Sequence, residues 1–150
     1  MDALTNRLQD ELRAKIVGLE AAIKAQPDQQ IEIDIKHHFA PGLYLREMLM
    51  PKNSVVVGKI HKTEHLCILS KGKVIVVNEN GRQLLEAPAV VHSVPGVKRA
   101  LHALEETVWV NCHHNPTDER DLEKIDDVFV VDTFDQFLSF TEQKKLEGSK

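Results

Sequence analysis

The chain has 150 residues, 42% of them hydrophobic and 28% charged, with a formal net charge of −4 at pH 7. That is the size of one ordinary domain with enough apolar material for a core. The acidic balance and the lack of a long basic run argue against a nucleic-acid backbone surface, and no apolar run is long enough to span a membrane.

Residues 2–25 read as one helix. Leu4, Leu8, Leu12, Ile16, Leu19 and Ile23 recur at helical spacing. Arg7, Asp10, Glu11, Arg13 and Glu20 stand on the opposite face, and Gln26-Pro27-Asp28 stops the helix. The mean apolar step exceeds 3.6, which disfavours a long left-handed coiled coil. The stripe is expected to pack either on the chain's own barrel or on a partner subunit. The first residues lack the basic-then-apolar pattern of a signal peptide, so a cytoplasmic location is expected.

From Ile31 the period shortens to two. Ile31, Ile33 and Ile35 alternate with charged residues, the pattern of a half-buried strand. His37 and His38 follow and must point to opposite faces, so at most one of them reaches a pocket. A turn is expected over 39–42, then a strand Leu43–Met50 with Tyr44, Arg46 and Met48 on one face. Arg46 and Glu47 point opposite ways, so at least one meets solvent or a polar pocket.

A valine-rich strand, Ser54–Ile60, runs into His61; the break Lys62-Thr63-Glu64 follows; His65 opens the next strand, which ends at Gly72. Histidines at the end of one strand and the start of its neighbour can converge on a metal ion or an anion. Strands are expected at Lys73–Val77 and Gln83–Glu86, joined through an Asn80-Gly81 signal, and again at Pro88–Val94. After Pro95-Gly96 another strand is expected from Val97. Thr107–His113 is the last, with Trp109, Asn111 and His113 sharing a face. Cys67 and Cys112 fall in strands and read as small core residues in a reducing compartment, Cys112 being the more interesting for its place beside His113.

The tail turns helical. A short acidic helix is expected from Asn115 to about Ile125, then an extended piece over Val128–Val131. Thr133 and Gln136 have capping-box spacing at the start of a last helix with Phe134, Phe137 and Leu138 inward. The expected division is an N-terminal helix over 1–27 for packing or oligomerisation, a barrel over 28–114, and a docked helical extension over 115–150.

Eight or nine short strands between turns predict an antiparallel sandwich or a small closed barrel. Residues 51–110 resemble the cupins, whose fold is a double-stranded β-helix. Anchored on Gly72, the family's first motif places His65 at its glutamate, His61 at one histidine and Lys59 at the other. Its second motif is similar to Pro95-Gly96, with Arg99 and Ala103 in the two ligand positions. More narrowly, the run of motifs from Gly42 to His113 is similar to a group of small cupin-like proteins found in phages and prophages. The resemblance implies a mainly β jelly-roll barrel that pairs into a homodimer or larger oligomer.

His61, His65 and His113 are the candidate metal ligands, a set suited to Zn, Fe, Ni, Mn or Cu; the alternative is a polar barrel mouth that binds an anion or hydrogen-bonds internally. Lys59, Arg99 and Arg46 are candidate ligand-binding residues for a small anionic molecule if they point inward. Glu64 is a candidate general base or a loop carboxylate in water, and Tyr44 is a second candidate catalytic residue, at the rim. His92, His102 and His114 read as surface or satisfied side chains. No nucleic acid or membrane partner is expected.

Overall fold

A computed structural model describes residues 2–148. Helix α1 (Ala3–Lys24) is capped by the Asp2 carboxylate, which accepts from the Thr5 amide at 2.8 Å. A single 3-10 turn, Pro27–Gln29, leads to eleven strands: β1 (Asp34–Ala40), β2 (Leu43–Met50), β3 (Val55–Val57), β4 (Ile60–His61), β5 (His65–Lys71), β6 (Lys73–Asn78), β7 (Gly81–Glu86), β8 (Ala89–Ser93), β9 (Ala100–Ala103), β10 (Thr107–His114) and β11 (Val130–Val131). Helix α2 (Leu122–Phe129) precedes β11, and α3 (Phe134–Gly148) follows it.

The strands form sheets of five (β1-β2-β10-β5-β8), four (β3-β9-β6-β7) and two (β11-β4), every pair antiparallel. The two larger sheets enclose one core of Met48, Met50, Cys67, Leu69, Val74, Val76, Leu101, Ala103 and Trp109. The inward residues are those that period two selects, because strand side chains alternate between faces. Gly72 turns β5 into β6 at φ +93°, and a Cβ there would fall on the Glu106 carbonyl and on Thr107.

Several boundaries differ from the sequence expectation. The expected strand from Ile31 starts only at Asp34, and His37 to Ala40 lie inside it, since β1 pairs with β2 from Asp34↔Leu49 to Ala40↔Leu43. The expected strand Ser54–Ile60 is two strands in different sheets, broken at Gly58, whose amide turns to the Arg99 carbonyl. Residues 97–99 are not strand. Lys98 is only 1% exposed and its Nζ pairs with Glu20 of α1 at 2.8 Å, so this segment serves the helix rather than a ladder. The acidic helix begins at Leu122 rather than at Asn115, capped by Asp121. Before it, Asn115 is buried and holds Glu119 through its side-chain amide.

The stripe of α1 is also placed differently. Only Ile16 is buried, whereas Leu4 and Leu8 are 66% and 51% exposed. The barrel-facing line includes residues expected on the polar face. Arg13 reaches Glu79, Glu20 reaches Lys98, and Gln9 reaches Asn80. The barrel surface beneath α1 offers buried charges that require partners, and these decide which face docks. Helix α3 docks through Phe137, which lies over Gly96 where a Cβ would come within 2.6 Å of the ring. The capping box forms as expected between Thr133 and Gln136, while Leu138 is exposed rather than inward.

Candidate metal centre

His61, His65 and His113 come from three strands, and one ligand nitrogen from each lies within 4.8 Å of the others. Each is positioned locally. The His61 carbonyl accepts from the Gly96 amide at 3.0 Å, and β4 is flanked by β11 through His61↔Val130, with the Lys62 amide donating to Phe129 at 2.7 Å. The C-terminal extension therefore supplies the wall behind His61. His65 opens β5, and its Nδ1 lies 3.1 Å from the Thr63 carbonyl, which can only accept. Nδ1 then carries the proton and Nε2 keeps its lone pair. His113 stands on the inward face of β10, where its ring stacks on Phe129 at 4.6 Å and on Tyr44 at 5.9 Å, and those two stack on each other at 6.1 Å.

The rings are close: centroids lie 4.3 Å apart for His61 and His65, 4.4 Å for His65 and His113, and 5.2 Å for His61 and His113. Burial, then the neighbouring His65 and His113, and then Arg99 and Arg46, push His61 down to about 2. Burial, His65 and Arg46 push His113 down to about 3, and burial lowers His65 as well. All three rings are neutral at physiological pH, the form that ligates a metal. The donor set fits a metal on one further observation. The Nδ1 of His113 is buried with no hydrogen-bond partner, a cost that a bound cation would relieve. Neutral nitrogen donors suit a borderline transition metal rather than Ca²⁺ or Mg²⁺.

A cavity of about 310 Å³ opens beside the histidines. His61 and His113 line it, with Tyr44, Arg46, Lys59, Arg99 and Asn111, above a floor that includes Met48, Leu101 and Trp109. Arg99 lies over Trp109 at 5.6 Å and donates to Ser93 Oγ at 3.2 Å, and its Nε is buried without a partner. Arg46 stands opposite Asn111 in the β2–β10 register and makes no hydrogen bond or ion pair among the described residues.

Other expected site residues stand elsewhere. Glu64 does not line the cavity; it is exposed and pairs with the equally exposed His92 at 2.6 Å. Lys59 sits at the rim, with Nζ turned to Asp126 at 3.1 Å and Asp132 at 3.7 Å. Tyr44 is buried, and its hydroxyl shares a 2.7 Å hydrogen bond with His37 Nδ1. His38 points outward to Glu47. Cys112 lies on the outer face of β10, so adjacency to His113 put it on the wrong side. Cys67 is the cysteine at the site, 3.5 Å from His65 Nε2 and 3.3 Å from the Asn111 oxygen. Its two-residue spacing from His65 within one strand was the signal available. Ile125 and Phe129 carried no such signal, because they reach the site from a helix distant in sequence.

Among solved structures, the chain is similar to KdgF from Halomonas sp., at 16% identity over 63% of this chain and 88% of that one, with a TM-score of 0.51. It is also similar to an oxalate decarboxylase of Lactobacillus farciminis, solved as a formate complex, at 13% identity over 60% of this chain and 31% of that one, again at 0.51. A cupin 2 conserved barrel domain protein from Salinispora arenicola follows at 13% identity, covering 55% of this chain and 76% of that one, with a TM-score of 0.48. No family model and no curated protein matches the sequence. The fold is thus the cupin double-stranded β-helix, with an N-terminal helix and C-terminal helices added to it. No helix among the described residues is long and apolar enough to cross a membrane.

Proposed function

We propose that the chain is a metal-binding cupin whose barrel mouth takes a small anionic molecule. The convergence of three neutral imidazoles within 4.8 Å is the observation that carries this reading. His61, His65 and His113 would hold one divalent transition metal, which would supply Lewis-acid polarisation of a bound oxygen or activation of water. The chain's own residues set what can bind beside it. No carboxylate stands among the three ligands, and Asp126, the acidic residue that lines the cavity, pairs with Lys59, so the guanidinium groups of Arg46 and Arg99 are left in excess. Such a cavity favours a carboxylate or phosphate, which both arginines can orient through paired hydrogen bonds. Tyr44 and Asn111 add two polar contacts, and the apolar floor limits how polar the rest of the ligand can be.

A second reading is a cavity that holds an anion without metal, as a binding protein would. The unpartnered Nε of Arg99 favours it independently of the histidines. Calorimetric titration of chelator-treated protein separates the two. The first reading expects one Zn²⁺ or Mn²⁺ site per chain, lost in His61→Ala, and tighter anion binding once the metal is present. Anion binding of unchanged strength with no metal uptake would sink the first reading and leave the second.

A further inference from the structure

Helix α1 carries an apolar stripe that the barrel does not use. Its docked face centres on Gln9, Arg13, Ile16 and Glu20, through contacts to Asn80, Glu79 and Lys98. At 100° per residue, Leu4, Leu8 and Leu19 lie roughly 60–120° around the helix from Ile16. All three are exposed, with Glu11, Lys15, Gly18 and Ala22 interleaved among them. A stripe that the fold leaves in water while polar contacts hold the helix down needs another occupant.

We infer that this stripe docks a second copy of the same chain, α1 against α1, antiparallel about a two-fold axis beside residue 13. The sequence is self-complementary about that point, as an isologous interface requires. Glu11 of each copy falls opposite Lys15 of the other, giving two opposite-charge pairs. Leu8 falls opposite Gly18, and Leu4 opposite Ala22, so these two leucines meet small residues, while Leu19 falls opposite Arg7. A Cβ on Gly18 would meet nothing within 4 Å in the single chain, so the space above it is open. A parallel pairing would instead set Glu11 against Glu11 and Lys15 against Lys15. A groove of about 370 Å³ runs beside the stripe between Leu8, Leu12 and Lys15 and the β6–β7 turn at Glu79–Asn80, so the hairpin turn extends the surface beyond the helix. The 22-residue helix is about 33 Å long, which places the interface at the small end of stable ones and its dissociation constant at about 1–100 µM.

Sedimentation equilibrium on the full chain tests this with exposed residues that lie outside the cavity, so the metal reading stands or falls separately. The wild type is expected to dimerise in that range. Glu11→Lys and Lys15→Glu each create two like-charge pairs and are expected to weaken the dimer by at least about tenfold. The double charge swap restores both pairs and is expected to recover most of that loss. Leu8→Glu is expected to yield monomer with an unchanged circular dichroism spectrum. A monomeric wild type at about 100 µM, a double swap no better than its parents, or a dimer that survives Leu8→Glu would each overturn the inference.

Discussion

The two ends of the barrel interior are built from the same strands and behave in opposite ways. Along β2 the inward residues are Tyr44, Arg46, Met48 and Met50, and along β10 they are His113, Asn111, Trp109 and Thr107. The register pairs them row by row, Tyr44 with His113, Arg46 with Asn111, Met48 with Trp109 and Met50 with Thr107. Two rows close the apolar core; the other two line a cavity with unpartnered polar groups. Alternation decides which residues face inward, but not whether the interior they meet is sealed or open. Sealing depends on what covers each end. Apolar side chains from both sheets fill one end, and α2 with β11 walls one side of the other.

Substitutions in the two halves should therefore cost different things. The largest expected effect is in the sealed half: Trp109→Ala or Leu69→Ala should destabilise by about 3–5 and about 2–5 kcal/mol respectively in urea unfolding. Next, His61→Ala should leave the metal-free fold near wild-type stability yet weaken metal affinity by at least about a hundredfold, read by competition with a chromogenic chelator. Arg99→Met should lose about tenfold or more in anion affinity while metal uptake is kept, read by calorimetry.

Acid should separate the halves as well. In the metal-free chain, His61 and His113 resist protonation until about pH 2 and 3, whereas their ordinary value is 6.5. Because the folded values are depressed, the unfolded chain binds more protons below pH 6.5. Stability is fully present above that pH and is lost as pH falls toward 3, by at most about 1.4 kcal/mol per pH unit per histidine. The urea midpoint should drop between pH 7 and 5, and the drop should shrink in His113→Ala; an equal drop in both would contradict the assignment. The smallest effect belongs to Glu64→Gln. Its carboxylate pairs in solvent with His92, so stability should change by less than about 0.5 kcal/mol and metal uptake not at all.

The interior was legible in the sequence because period two is a local property. Spacing alone put Tyr44 and Arg46 on one face of their strand and Trp109, Asn111 and His113 on one face of theirs, and two histidines around a polar break marked the mouth. What walls the mouth was not legible. Phe129 and Val130 reach His61 through a pairing some seventy residues apart, which no local pattern encodes. The helix stripe misled for a related reason. Hydrophobic spacing gives an apolar face, but the buried charges Glu79 and Lys98 chose which face of α1 meets the barrel. Glu64 stood between two converging histidines in sequence, yet the loop that joins two strands turns its side chain outward to His92.

Elemental analysis of the purified chain beside a His61→Ala, His65→Ala double variant tests the central claim most directly. The account predicts about one transition metal per wild-type chain and none in the variant. A wild type that stays metal-free after incubation with Zn²⁺, Mn²⁺, Fe²⁺, Ni²⁺ and Cu²⁺, or a variant that retains the metal, would contradict it.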